Sequence, residues 1–303
     1  MSALAFILAG TLAAATPLLL AALGELVVER SGVLNLGVEG MMALGAAIAF
    51  IVTYHTGGHA WAFLAGAGAG MAAALVFAIP VLMFRANQVA AGLAIGILAG
   101  GLSALFGRPY ESLTVRGIPR IELPVLSDLP VIGPLFTQDV VVWASLTLAV
   151  VMAWTFRATR LGWRIRAVGE NPEAARAIGT PVLAVRAACI AFGGALAGLG
   201  GAYASTVYTP LWADGMIAGR GWIAVALVVF GTWQTGRVAM GAILFGALSI
   251  GELVVQATGV PIPSQALAAL PYLATIVVLA LISSNRRRMR LNSVASLGEP
   301  FGR

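Results

Sequence analysis

Met1–Val28 reads MSALAFILAGTLAAATPLLLAALGELVV, and its stretch from Leu4 to Gly24 carries no charge. At about 1.5 Å of rise per residue such a helix is about 31 Å long, which matches a hydrocarbon core of about 30 Å. No basic residue precedes the run, and it exceeds the roughly 7–15 apolar residues of a signal-peptide core. It is therefore read as a retained first span. Similar runs follow near 34–54, 60–84, 87–107, 140–156, 182–204, 221–233, 238–256 and 268–284. Two of them, 140–156 and 221–233, are short for a full crossing. The runs are continuous in Leu, Ala, Val and Gly and lack the period-2 alternation of a membrane barrel. The expected fold is all-α, a polytopic membrane protein with about eight to ten transmembrane helices in one bundle, residues 1–303 forming a single domain.

Composition agrees. The 303 residues are 60% hydrophobic and 10% charged, where soluble domains carry about 25% charge, and the mean hydropathy is +0.95. The net charge of +6 is carried by Arg, because the sequence contains no Lys. A P-loop and a Schiff-base lysine are thereby excluded, so any ATP hydrolysis belongs to another subunit and the chain itself is not expected to be an enzyme. Cys189 is alone in an apolar run and reads as a small core residue. His55 and His59 are four apart, but Gly57 and Gly58 lie between them, which makes a shared helical face for a metal improbable. No nucleophile, base and orienting group fall on one loop or span. No catalytic residue, metal or cofactor is expected.

Arg placement orients the chain. The gap Arg157–Pro181 and the tail Asn285–Arg290 are Arg-dense and are expected on the cytoplasmic side. Counting spans from the gap delivers the tail 285–303 to that same side. Counting backwards puts the loop Arg108–Asp139 outside, Glu29–Gly37 inside and the N-terminus outside.

Small residues mark packing faces: Gly92, Gly96, Gly100 and Ser103 on one run, and Gly194, Ala197, Gly198 and Gly201 on another. In lipid such faces let helix backbones approach closely. Polar residues at membrane depth usually face protein or a wet cavity. In SGVLNLGVEGMMALGAAIAF, Ser31–Phe50, the helix either begins near Leu34, with Asn35 and Glu39 on one face, or is broken where Gly32, Gly37 and Gly40 loosen the turn. Asn87 and Gln88 open the fourth run, as a cap or as a cargo contact. Ser249, Glu252 and Gln256 form a stripe at i, i+3 and i+7, suited to a helix–helix network or to a translocation path.

The gap RATRLGWRIRAVGENPEAARAIGTP, Arg157–Pro181, carries more than anchoring charge. Arg157, Arg160, Arg164 and Arg166 hold the end of a span at the headgroups, and the chain turns at Gly169. Asn171-Pro172 then reads as an N-cap followed by proline at the first helical position. Glu170 and Glu173 suit the helix N-terminus, and Gly179 with Pro181 ends the helix after about two turns. The predicted helix 170–178 presents Ala174, Ala175 and Ile178 as a small apolar ridge, which suits docking into a partner's groove.

This segment resembles the coupling loop of ABC-importer permeases in the branched-chain amino acid, ribose and nucleoside group. Their RAxGxNPxAAxxxGI pattern matches Arg166 through Gly179, with Thr180 in place of the final Ile. ERSGVLNLGVEGMMALGA, NQVAAGLAIGILAGGLS, GRGWIAVALVVFG and LPYLATIVVLAL resemble further segments of that group in the same order, most like the shorter permease of nucleoside or simple-sugar importers. Trp233-Gln234-Thr235-Gly236 departs from the Asn-Pro pair usual after the GRG segment. The resemblance implies a permease subunit of an importer in the bacterial inner membrane. It further implies a separate ABC ATPase, an extracytoplasmic substrate-binding protein and a second, non-identical permease. Gly169, Glu170, Asn171, Pro172, Glu173, Ala174, Ala175, Ile178 and Gly179 are then expected to couple to the ATPase. Asn35, Glu39, Gln88 and Glu252 are the expected substrate path for a neutral, hydrogen-bonding cargo such as a nucleoside. A pentose-like sugar is the alternative cargo, and an ATP-independent secondary transporter the alternative class.

Overall fold

The computed structural model describes residues 3–122, 124, 127, 133–257, 266–267, 269–274, 277 and 294–299. Among the described residues the helices bounded at both ends are α1 Ala3–Arg30, α2 Val38–Thr56, α3 His59–Ala78, α4 Gln88–Gly107, α5 Val140–Ala158, α6 Arg160–Glu170, α7 Pro172–Ala177, α8 Val182–Tyr203, α9 Arg220–Phe230 and α10 Thr235–Ala257. Wider π-turns extend α3 through Ile79–Met83 and α8 through Ala204–Tyr208. A two-residue antiparallel ladder, β1 Ile121–Glu122 with β2 Thr137–Gln138, lies in the long loop. Among the described residues seven helices are long and apolar enough to cross a membrane. The expected last span, 268–284, and the tail Asn285–Arg290 fall largely or wholly outside the described residues.

Two sets of contacts define the ends of the bundle. At one end Arg30 donates to the carbonyl of Trp233, Gln88 accepts from the Leu34 amide, and Ser296 bonds Gly169. At the other, His55 pairs with Tyr110, Tyr203 donates to Asp139, and Gln138 donates to the carbonyl of Ala9. Loop 157–181 and residues 294–299 therefore share one end, and the start of α1 and the 108–139 loop share the other. This is the arrangement the span count predicts.

The core is built on backbone contact. α8 packs against α3, α1 and α2. A Cβ at Gly198 would collide with the carbonyl of Gly66, one at Gly194 would meet the Gly70 carbonyl at 2.5 Å, and one at Gly45 would meet Gly198 at 2.5 Å. Without a hydrophobic driving force between helices in lipid, such close approach supplies the van der Waals contact that holds them. The α4 face behaves alike at Gly92 and Gly96, which lie against Leu36–Gly40, while Ser103 donates to the Ala43 carbonyl at 2.8 Å. Gly100 has open space beside it.

One open alternative is decided and one expectation is corrected. Of the two readings of the second span the broken one holds: residues 33–35 carry no regular structure and α2 starts at Val38, so Asn35 lies before the helix rather than on a face with Glu39. Gly32, at φ +88°, makes the turn out of α1. The run 221–233 is not a full crossing, because α9 has 11 residues, about 16 Å of helix. Its first turn lies against Glu39, which is one residue from the contact of Gly40 with Gly96 near the middle of α4. The segment 209–219 makes up the rest of the passage without helix.

Candidate functional site

The loop 157–181 contains two helices, not one. Gly162 permits the first corner, since a Cβ there would collide with the carbonyl of Thr155 in the last turn of α5. Thr159 caps α6 by accepting from the Gly162 amide at 3.2 Å. The predicted turn at Gly169 therefore moves to Asn171: Gly169 remains within α6, pressed against the carbonyl of Arg30. Asn171 caps α7, its Oδ1 accepting from the Ala174 amide at 2.9 Å, and Pro172 opens the helix where no N–H is required. Gly179, at φ +84°, closes it. Its amide donates to Arg176 at 2.9 Å and the Thr180 amide donates to Ala175 at 3.0 Å, the paired bonds of a glycine-terminated helix end.

The expected ridge is altered at one position. Ala175 is buried against Val168 and Val182, so the side chains of α7 that remain outward are Glu173, Ala174, Arg176 and Ala177, followed by Ile178, which is 79% exposed. A helix of six residues has room for only one buried row, and Ala175 forms it.

The loop is fastened to the bundle by its inner face. The Gly169 carbonyl accepts from the Ser296 amide at 3.0 Å and from its hydroxyl at 2.6 Å. Arg186, buried in α8, donates from Nη2 to that hydroxyl at 3.1 Å and from Nε to the Ser31 carbonyl at 3.0 Å. A continuous chain of bonds thus runs from the end of α6 to the non-helical stretch before α2.

That stretch brings together three of the four expected path residues. Gln88 accepts from the Leu34 amide at 2.7 Å and donates to the Glu299 carbonyl at 3.3 Å. Asn35 accepts from the Gly37 amide at 2.9 Å, and its own amide donates to Glu25 at 3.1 Å. Glu39 accepts from the amides of Gly219 at 2.7 Å and Gly221 at 2.6 Å, one oxygen for each. Backbone that is not helical must be satisfied at membrane depth, and these side chains do so. Glu252 is not brought to them: it lies two residues beyond Ile250, which packs on Gly10, and accepts from Gln256 at 3.0 Å.

Several buried polar residues were not singled out in the sequence. Glu25, Glu29 and Arg186 are each 1% exposed or less. The signal was present, since Glu25 and Glu29 stand four apart in an apolar span and Arg186 interrupts another. The Trp233 departure also has a structural setting. Its indole donates to Glu29 at 2.6 Å, its carbonyl accepts from Arg30, and Thr232 and Trp233 turn through φ of 50° and 53°. Among the described residues no group of three His, Cys, Asp or Glu side chains could hold a metal ion.

A multi-helix bundle with non-helical backbone at mid-depth and a capped helix at one end has the architecture of a membrane permease. The comparisons make the family specific. The model for the branched-chain amino acid transport system permease component matches residues 7–283, and the chain belongs to that family. It is 39% identical to the putative glucose ABC transporter permease protein TsgC13 of Haloferax volcanii, over 100% of this chain and 99% of that one. It is 35% identical to the guanosine ABC transporter permease protein NupQ of Bacillus subtilis, covering 91% of each. The nucleoside ABC transporter permease protein NupC of Lactococcus lactis is 32% identical over 92% of each. No solved structure matches significantly. The chain is thus a multi-pass permease subunit of an ABC transporter, a family that implies ATPase and substrate-binding partners.

Proposed function

We propose that this permease imports nucleosides, with loop 157–181 and the tail on the cytoplasmic side and α7 as the contact for the ATPase. The observation that carries the cargo is the pair of relatives named for guanosine and nucleosides, each aligned over more than nine-tenths of this chain. A neutral, hydrogen-bonding cargo suits a path ordered by Glu39 at mid-depth and by Asn35 and Gln88 toward the α7 end, with Glu252 apart from them. Glu170, Asn171, Pro172, Glu173, Ala174, Ile178 and Gly179 form or brace the docking surface. Gly169 and Ala175 act beneath it by fastening it to the bundle. Closure of the ATPase subunits would push on α7, and the bonds through Gly169, Ser296 and Arg186 would carry that push to the stretch 31–37. A second, non-identical permease completes the pore in this reading.

A sugar cargo is the second reading, favoured by the 39% identity to a protein named as a putative glucose permease over the full chain. Uptake of labelled guanosine and uridine, with excess glucose or ribose as competitor, separates the two. The test uses cells with and without this gene, the partner ATPase and the second permease. Nucleoside uptake lost in every deletion and indifferent to sugar supports the proposal. Intact nucleoside uptake with lost sugar uptake overturns the cargo, and uptake independent of the ATPase overturns the coupling.

A further inference from the structure

A polar cleft of about 240 Å³ opens at the α7 end of the bundle, between the α5–α6 corner, the end of α1 and the α9–α10 turn. It is lined by Arg30, Arg157, Arg166, Gln234, Thr235 and Gly236, among others. Three arginines from three helices line one space. Arg30 is held by its two bonds to the Trp233 carbonyl. Arg166 stacks on the Trp163 ring at 4.6 Å, and its Nε is shielded from solvent with no hydrogen-bond partner among the described residues. Thr235 and Gly236 begin α10, a helix of 23 residues; the amides of Arg237 and Val238 donate to the Gln234 carbonyl at 3.0 Å, and those of Thr235 and Gly236 come before any partner within the helix. Two carboxylates stand near. Glu170 is within electrostatic range of Arg30, and Glu29 is bonded to the Trp233 indole.

We infer that this cleft binds a phosphate group, as carried by an anionic phospholipid headgroup or by free phosphate. Guanidinium groups offer planar, paired donors that match phosphate oxygens, and the start of α10 adds amide N–H groups and a favourable dipole. The cleft is smaller than the roughly 300–1,000 Å³ of pockets that enclose a whole small molecule, so it suits a headgroup rather than transported cargo. It lies where a span ends, and basic pockets between spans at that level are suited to anionic lipid. Occupation would join α1, α5, α6 and α10 around one ion.

The test is native mass spectrometry of the detergent-purified transporter with its partner subunits, after equilibration with equal amounts of phosphatidylglycerol and phosphatidylcholine. Thermal unfolding with and without inorganic phosphate runs in parallel. The double variant R157Q/R166Q is compared with R116Q/R120Q in the loop at the opposite end. Preferential retention of phosphatidylglycerol, reduced about thirtyfold in R157Q/R166Q, supports the site with lipid as the source; the factor is roughly fivefold for each cation removed. Protection by inorganic phosphate that the same variant loses, without lipid preference, supports the site with a soluble source. If R157Q/R166Q misfolds, R166K keeps the charge while losing the planar fork, and reduced retention there gives the same support. Retention and protection equal in wild type, R166K and any folded cleft variant, or changed equally in R116Q/R120Q, overturn the inference.

Discussion

Arg186 and Ser296, 110 residues apart in sequence, meet through a 3.1 Å hydrogen bond inside the α7 end of the bundle. The Ser296 hydroxyl passes that contact on to the Gly169 carbonyl, while the same guanidinium holds the Ser31 carbonyl. One buried cation therefore ties the α6–α7 loop to α8, to the end of α1 and to the stretch 294–299. These two bonds end on a main-chain carbonyl and a hydroxyl, so each depends on the placement of a neutral acceptor.

Replacing Arg186 with Gln removes the reach to both acceptors. Leaving buried acceptors without donors costs about 1–3 kcal/mol, so R186Q should lower the thermal unfolding temperature of the purified transporter by several degrees. S296A, which removes one hydroxyl, should cost about 1 kcal/mol. Unfolding curves that superimpose on wild type for both variants would contradict the role given to this tie.

Glu39 places one oxygen on each of two amides at the start of α9. Hydrogen bonds to charged groups are worth about 1.5–3 kcal/mol each, so E39A should destabilise strongly. E39Q should be intermediate, since an amide side chain offers one acceptor where two N–H groups converge. The order wild type, E39Q, E39A in unfolding temperature is the expected result; E39Q below E39A would show that the carboxylate does not organise this loop.

Ile178 and Ala175 differ in burial by design of the short helix, 79% exposed against 2%. I178E should therefore insert and fold normally yet reduce transport and substrate-stimulated ATP hydrolysis at least tenfold, on the order of 1.4 kcal/mol of lost coupling. A175E should instead lower the amount of folded protein, because it forces a charge against Val168 and Val182. Wild-type transport in I178E would remove α7 from the docking surface.

Trp233 is held at both ends, by Glu29 and by Arg30. W233F keeps an aromatic ring but withdraws the indole donor from a buried carboxylate, at a cost of about 1.5–3 kcal/mol. Reduced thermal stability with W233F, and a larger loss with W233A, are expected; equal stability of W233F and wild type would mean the indole bond contributes nothing.

The sequence made the spans, the sharing of ends and the capped helix legible because each has a local cause. Apolar length shows a span, Asn-Pro shows a helix start, and Gly179 shows a stop. What it concealed depends on partners far along the chain. Gly32, Gly37 and Gly40 offer a broken start to the second span as one of two alternatives, but the choice between them follows from Glu25 and Gln88 accepting from the amides of Asn35 and Leu34, which no pattern within residues 31–50 reveals. α9 reads as a span by composition, yet its start is fixed by Glu39, 182 residues before Gly221. Ala175 and Ile178 look alike as apolar members of one ridge, and only the packing of α6 on α8 separates them. Glu252 looked as promising as Glu39, but nothing in its own stripe tells that the other polar residues gather elsewhere.

The seam where α3 meets α8 through Gly66, Gly70, Gly194 and Gly198 has main chain against main chain and hardly any side chains to re-pack. Interfaces switch between arrangements when side chains can exchange one set of grooves for another, and a seam without ridges has no second arrangement to adopt. These two helices then travel together as one stiff plate. Whatever opens and closes the passage must come from parts hinged to the plate: α5, whose buried face is built of side chains such as Val142, Met152 and Phe156, and the unwound stretches on either side of Glu39. A transporter usually pictured as a flexing tube is in this chain closer to a fixed wall with moving panels.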